Sequence, residues 1–428
     1  MPNPYVMFAI ARVLRQHVSF ILAGTGYAEP TSPQPMSETK NVDAVVWLPP
    51  APEGEWRVDA TEISEEVQRW ISNIKYVCQE FRISAVLTSN DHEQFFLTLA
   101  RQQFEEIGVT ILGPSHETVR AMNDKYNFSQ VAASLGIPVP DTRMVTDPSS
   151  EDLLSGGMPV MLKRRFSQGT KGVFYFSEPA TVRLKLAEIS QIEPLDNWLL
   201  QEYIPGRFEP SCTVYMGARQ PTTMLFHIKH RYTAPSASSA VEVVDPFVPK
   251  EAIANLVKAV GLVGACGIQF KLDERTGQAK MIEANARLGQ NTRMVLPMLA
   301  KQGQDAGLIL LNSYAGLDQE IVQVPVGTIG LSPFDDIVSI VLLLRTHGRR
   351  QKIDNPAPSL PEFLAQIASS YLGRPIAWDL IFSSLLQEQK PALTIFRRQL
   401  QRTKSPPIVP WSGISLTRPV RDVSTLCP

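Results

Sequence analysis

The sequence predicts an α/β protein assembled in series: an N-terminal doubly wound parallel-sheet domain, two α+β lobes and a helical C-terminal extension. Three observations predict it. Short apolar runs alternate with amphipathic segments over about the first 115 residues, as strands do when helices carry the chain back into a parallel sheet. Extended runs then gather around single helices up to about residue 330. Beyond 331 the composition turns helical and is punctuated by proline.

In chain order, Tyr5 to Gln16 reads as a first helix. Val18 to Ala23, Asp43 to Leu48, Ala85 to Thr88 and Val109 to Leu112 read as strands, with helices at Ile63 to Phe81 and Gln94 to Ile107. A βαβ unit opens on a strand and a tight turn, so the first strand is read as missing and the domain as truncated. Pro138 and Pro140 close a helix that starts near Asn123. The expected domains are 1–115 (the α/β domain), 116–205 (linker helix and small lobe), 206–330 (second lobe) and 331–428 (helical extension and loose tail). In the small lobe Pro159 to Lys163, Gly172 to Phe176 and Trp198 to Glu202 are strands, and Pro179 to Ile189 is a helix. In the second, Cys212 to Tyr215, Thr222 to His230, Cys266 to Leu272 and Lys280 to Ala284 are strands around a helix at Lys250 to Val263. In the extension, Phe334 to Leu344 and Trp378 to Leu386 are apolar enough to pack as helices or to form a homodimer interface. A membrane-surface role for the basic run Arg345 to Lys352 is the alternative there.

With 428 residues, 44% apolar and 19% charged, the chain is an ordinary globular one of about two to four domains. A net charge of −1 and no basic arm interleaved with aromatics argue against nucleic acid as a partner and for small molecules. Cys78, Cys212, Cys266 and Cys427 lie far apart with no Cys-x-x-Cys pair, which argues against a zinc cage or disulfide framework and for the reducing cytoplasm. Val18 to Ala23 and Val338 to Leu344 are too short to span a bilayer. No signal-peptide pattern or prenylation cysteine is found, so no membrane anchor is expected.

The chemistry gathers in four segments. Gly267 to Leu272 and Glu283-Ala284-Asn285-Ala286-Arg287 read as neighbouring strands joined by a turn at Thr276-Gly277. Residues two apart in a strand share a face, so Glu283, Asn285 and Arg287 are expected to project together with Gln269 beside them. Gln269, Glu283 and Asn285 offer only oxygens, which suits magnesium bridging to substrate phosphates. Taken bare, such a triplet more often marks a solvated sheet face. The strand ending at Lys163 runs into Phe166-Ser167-Gln168-Gly169-Thr170-Lys171-Gly172, a turn whose backbone N–H groups can wrap phosphate, although most two-glycine turns are plain hairpins. Leu199 to Gly206, with Glu209 beyond, reads as a strand entering a hinge, where free backbone can meet a purine edge and a carboxylate a ribose. Asp124-Lys125-Tyr126 reads as a helix start carrying an exposed lysine.

The order of these pieces resembles the ATP-grasp superfamily. Asp-Lys, Gly-Ile-Pro-Val-Pro, strand-Lys with Gly-Thr-Lys-Gly, Gln-Glu-Tyr-Ile-Pro-Gly, then Gln269 and Glu-x-Asn-x-Arg follow one another over roughly residues 15 to 300. The nearest likeness is to carbamoyl-phosphate-synthetase-type modules, whose metal site also uses Gln, Glu and Asn. The resemblance implies an ATP-grasp fold whose two α+β lobes clasp ATP. Lys125 and Lys163 would meet the phosphates, and Ser167, Gly169, Thr170, Lys171 and Gly172 would belong to the mobile lid. Glu202, Tyr203 and Ile204 would bind adenine; Glu209 would hold the ribose, one residue further from Gly206 than is usual. Gln269, Glu283 and Asn285 would ligate magnesium, with manganese as the alternative ion. Arg287 would meet the transferred phosphoryl group, His230 or Arg231 would face the substrate, and Arg293 would bind a substrate carboxylate or serve packing.

The chemistry so implied is phosphorylation of a carboxylate by ATP to an acyl phosphate, then attack by an amine with release of ADP and phosphate. Such transfer rests on in-line positioning and on neutralising spreading charge. Three rivals stand beside it: a bicarbonate-phosphorylating enzyme of the carbamoyl-phosphate type, a nucleotide-binding module without turnover, and a biotin-dependent carboxylase. One ATP-grasp unit without a glutaminase segment speaks against the first, retention of both lysines and Arg287 against the second, and the lack of a Met-Lys-Met carrier hairpin against the third.

Overall fold

A computed structural model describes residues 4–25, 39–52, 63–147, 157, 159–167, 172–233, 237–346, 351–352, 355–356, 360–372, 375–379 and 382. The chain opens on α1 (Pro4–Leu14), followed by β1 (Leu22–Thr25) and β2 (Ala44–Trp47), which pair in parallel. α2 (Glu65–Glu80) is capped by Ser64, whose side chain accepts the Val67 N–H, and carries Glu65 and Glu66 in its first turn, where the helix dipole favours them. Its buried residues, Val67, Trp70, Ile71, Ile74 and Cys78, fall three or four apart and form one apolar stripe. β3 (Ala85–Val86), α3 (Asp91–Leu99), α4 (Arg101–Glu105) and β4 (Thr110–Ile111) follow, and β3 pairs in parallel with β4. A single doubly wound sheet was the expectation; among the described residues there are two separate parallel pairs, with strands of only two residues in the second.

α5 (His116–Asn123) and α6 (Lys125–Ser134) lead into the small lobe. There β5 (Thr142–Met144), β6 (Val160–Arg164), β7 (Val173–Phe176), α7 (Pro179–Ser190) and β8 (Trp198–Glu202) form a four-stranded antiparallel sheet in the order β5-β8-β6-β7. Along β6, Val160 and Leu162 point into a core with Val182, Leu186 and Ile189 of α7, so the pleat sends Lys163 to the other face.

The large lobe comprises β9 (Pro210–Met216), β10 (Pro221–Thr233), β11 (Ala237–Val243), α8 (Lys250–Ala259), β12 (Gly264–Asp273), β13 (Gln278–Asn285), α9 (Thr292–Ala300), α10 (Ala306–Tyr314) and β14 (Ile329–Leu331). The extension supplies α11 (Pro333–Thr346), the short pair β15 (Gln351–Lys352) and β16 (Asn355–Pro356), α12 (Leu360–Tyr371) and β17 (Ile376–Trp378). Seven strands form one sheet in the order β13-β12-β9-β10-β11-β14-β17. On one face Cys212, Val214, Phe226, Ile268 and Phe270 pack against Ile253, Leu256 and Val257 of α8. On the other, Tyr215, Leu225, Val241 and Val243 share a core with Ile10 of α1, Val295 of α9 and Leu310 of α10. Burying each such side chain stabilises the fold by about 1.5–3 kcal/mol. The expectation of a purely helical extension is corrected: β17 joins the sheet beside β14 in parallel, and a three-residue strand is too short for a periodicity signal. Among the described residues no helix is long and apolar enough to cross a membrane.

Candidate functional site

The β12–β13 hairpin turns where the Thr276 and Gly277 N–H groups donate to the Asp273 carbonyl at 3.2 and 2.7 Å. Gln269 then lies directly opposite Glu283, and Gly267 opposite Asn285. The register slips between Gln269 and Phe270, which pairs with Met281 and leaves Ile282 as the extra residue of a bulge. Ala279 and Met281 before the bulge, and Ala284 and Ala286 after it, all enter the core under α8. An unbroken two-residue period from Met281 would bury Glu283 there; the bulge instead turns Glu283 and Asn285 onto the face of Gln269. Arg287 lies just beyond the strand and reaches Asn285 Oδ1 at 3.4 Å.

Two lysines from other elements approach this face. Lys125 is the first residue of α6, whose cap, Asp124, accepts the Tyr126 and Asn127 N–H groups. Arg165, just past β6, grips both Asp124 oxygens, Nε to Oδ1 at 2.8 Å and Nη2 to Oδ2 at 2.7 Å, and so fixes the helix start against the small lobe. Lys125 Nζ donates to the carbonyl and hydroxyl of Ser167 at 2.9 and 3.1 Å. Lys163 Nζ donates to Gln201 Oε1 at 2.6 Å, and Gln201 Nε2 donates in turn to Thr142 Oγ1 at 2.9 Å. That chain spans three strands of the small sheet. Burial pushes Lys163 down to about 8, with the Glu283 carboxylate opposing it. Burial also lowers Lys125, again against the attraction of Glu283 and of Asp91 and Asp124. Both lysines therefore feel the same carboxylate of the other lobe.

The hinge is held by charge. Burial would raise the Glu202 carboxyl, but Lys280 at 2.8 Å and Arg275 at 2.5 Å hold it below the usual carboxylate range. Tyr203 packs edge-on to Tyr175 with ring centroids 4.9 Å apart, and Ile204 is buried. At Gly206, with φ 138°, a Cβ would come within 2.4 Å of the Leu272 carbonyl, so only glycine lets the linker press against β12. Glu209 lies 3.7 Å from Lys229 Nζ. Gly172, with φ 67°, ends the segment after Ser167, and a Cβ there would meet Arg164 at 2.9 Å.

Several expected residues stand elsewhere. His230 is a correction: its Nε2 lies 2.5 Å from Glu242 Oε2, and Glu242 pairs with Ile228, on the Phe226 side of the sheet. The residue of β10 on the Gln269 face is His227, since Gln269 is opposite Ser211 and Ser211 opposite His227. Arg293 is not free for a substrate carboxylate, because buried Asp335, Asp379 and Ser332 of the extension already hold its guanidinium. Gly169, Thr170 and Lys171 lie outside the described residues, as does the side chain of Arg231.

Sequence reasoning missed Gln201, Arg165 and the start of α3. Asp91 Oδ2 lies 2.6 Å from Arg287 Nη2, and Gln94 Nε2 donates to the Ala286 carbonyl at 2.8 Å. A signal was present: the run Thr88-Ser89-Asn90-Asp91-His92-Glu93-Gln94 follows the carboxyl end of a strand, where open α/β sheets bind ligands.

The family described as carbamoyl-phosphate synthase L chain, ATP binding domain, matches residues 223–295. The carbamoyl phosphate synthase large chain of Methanobrevibacter smithii is 26% identical over 199 residues, 44% of this chain and 19% of that protein. The C-terminal section of that large chain from Methanopyrus kandleri is 26% identical over 254 residues, 55% of this chain and 44% of that protein. The chain thus spans less than half the length of these relatives. Among solved structures, the biotin carboxylase domain of Hydrogenobacter thermophilus 2-oxoglutarate carboxylase superposes with a TM-score of 0.59 at 16% identity, covering 77% of this chain and 72% of that one. These likenesses support the resemblance to the ATP-grasp superfamily. The ATP-grasp fold extends to an L-amino acid ligase of Bacillus licheniformis, with a TM-score of 0.53 at 14% identity over 77% of this chain and 76% of that one.

Proposed function

We propose that this chain is an ATP-dependent ligase that phosphorylates a carboxylate to an acyl phosphate and joins it to an amine, releasing ADP and phosphate. The observation that carries the reading is the convergence of Lys125 and Lys163 on the face of Glu283, whose carboxylate favours the charged form of both lysines against the burial that disfavours it. Two cations from one side and one carboxylate from the other are what a nucleotide triphosphate and its metal require. The family likeness supports it, and the Hydrogenobacter structure holds magnesium ADP. In this chain Lys125 and Lys163 would hold phosphates, Glu202 to Ile204 adenine and Glu209 ribose; Ser167 to Gly172 would cover the terminal phosphates. Arg287 would hold the transferred group.

Gln269, Glu283 and Asn285 would hold magnesium. One carboxylate and two amides on a single sheet face fit an ion that takes its other oxygens from phosphates and water. Among the described residues no group of three or more His, Cys, Asp or Glu forms a closed cage. Bound there, magnesium would neutralise phosphate charge as it develops. Buried thiols at Cys78, Cys212 and Cys266 support a reducing, cytoplasmic setting, and a homodimer through the extension belongs to the same reading.

A second reading takes bicarbonate as the phosphorylated acid, favoured by the carbamoyl phosphate synthase relatives. Turnover of ATP with magnesium and pooled carboxylates and amines, with bicarbonate as a separate arm, tests both. The ligase reading expects ADP and phosphate only when a carboxylate and an amine are present, and at least about a 100-fold loss in Glu283→Ala. Release of AMP and pyrophosphate would sink it, and ADP formation with bicarbonate alone would select the second reading.

A further inference from the structure

We infer that the start of α3 is the amine subsite of this enzyme: Asp91, Gln94 and Ser89 offer a primary amine a group of buried acceptors beside Arg287. The inference rests on the ligase reading above and deepens it. Asp91 and Gln94 are three apart and so share one face of α3. That face is pressed against the segment after β13, Asp91 on Arg287 at 2.6 Å and Gln94 on the Ala286 carbonyl at 2.8 Å. The contacts use one side of each group only. Asp91 Oδ1, Gln94 Oε1 and Ser89 Oγ are buried without a hydrogen-bond partner, as is Arg287 Nε. Ser89 is 5% exposed, Asp91 1% and Gln94 2%.

A polar atom buried without a partner destabilises the fold, and three within six residues call for a ligand. The backbone of the helix start does not supply one, since Asn90 Oδ1 already accepts the His92 and Glu93 N–H groups. Their chemistry selects the ligand. A carboxylate and an amide oxygen accept only, and a serine hydroxyl accepts as readily as it donates. Three acceptors match the three N–H donors of an ammonium group, and Asp91, whose Oδ2 meets Arg287, turns the other oxygen of its carboxylate to it. A bicarbonate ion, rich in acceptors, would face acceptors. The position also serves the chemistry, because Arg287, beside Asn285, would hold the acyl phosphate, which the amine attacks once the ammonium has passed a proton to Asp91, the new N–C bond replacing the C–O bond to the departing phosphate.

Thermal unfolding of the full chain with magnesium and ADP tests the inference, with the twenty L-amino acids, their amides and short diamines as probes. Wild type is expected to gain a further rise in Tm with a subset of the amines and none with the matching N-acetylated compounds. Asp91→Asn and Ser89→Ala should each weaken that amine response at least tenfold in midpoint concentration, with the unliganded Tm of each variant as the folding control. Ser89→Ala, which removes one hydroxyl, keeps the test open should Asp91→Asn misfold. Equal responses in wild type and variants, or a response to the N-acetylated compounds as well, would overturn the amine subsite. So would the absence of any amine response. No rise in Tm with magnesium and ADP alone would overturn the nucleotide reading beneath it.

Discussion

Lys163 shows how one residue's role depends on what turns it. The pleat of β6 takes it off the core face, and Gln201, itself held by Thr142, gives its ammonium a fixed acceptor at 2.6 Å. Replacing that acceptor leaves a buried cation to find another. Gln201→Met is therefore expected to weaken magnesium-ADP binding about 5- to 10-fold, on the order of 1–1.5 kcal/mol. Titration calorimetry on both proteins checks it; unchanged affinity would show that the amide does not position Lys163. The sequence made Lys163 legible because a strand pattern ended on it, and left Gln201 illegible because a glutamine in an apolar strand has no pattern of its own. Arg165 was hidden for the same reason. Its pairing with Asp124 joins residues 41 apart in the chain, which no local spacing reports.

At the scale of an element, β10 carries two histidines on opposite faces. His230 meets Glu242, while His227 is fully buried and shares a hydrogen bond of 3.1 Å with Thr213 Oγ1. Burial, aided by Lys229, pushes His227 down to about 3. An unfolded histidine takes up its proton near 6.5. Between those values the unfolded chain binds the extra proton, so the stability His227 allows is complete above about pH 6.5 and falls as pH drops toward 3, by about 1.4 kcal/mol per pH unit for one group. A His227→Gln variant is expected to show a shallower loss of Tm between pH 6.5 and 4.5 than wild type; parallel curves would contradict this. Strand alternation made the β12–β13 face readable from Glu283 onward. It could not show the bulge at Ile282, and without the register of β9 it could not tell which histidine shares the face of Gln269.

Across the whole molecule, the extension is bound into the large lobe by charge as well as by β17. Arg293 is 3% exposed and lies among Asp335, Asp379 and Ser332. Removing one partner of such a buried set strands the others, typically at a cost of about 3–5 kcal/mol. Arg293→Met is accordingly expected to lower Tm sharply, measured by calorimetry; an unchanged Tm would remove the extension's anchor from the account. From the sequence, the order of lobes was legible because helix and strand periods change along the chain. The sheet's continuation into residues 376–378 was not, since three residues carry no period.

The central claim is that the γ-phosphoryl group of ATP passes to a carboxylate. The direct measurement follows oxygen: with a turned-over carboxylate substrate labelled with ¹⁸O, phosphate released during amide formation is analysed by mass. The account predicts one ¹⁸O in each phosphate, because the acyl phosphate loses a carboxylate oxygen with the phosphoryl group when the amine attacks. Unlabelled phosphate, or the label appearing in AMP, would contradict it.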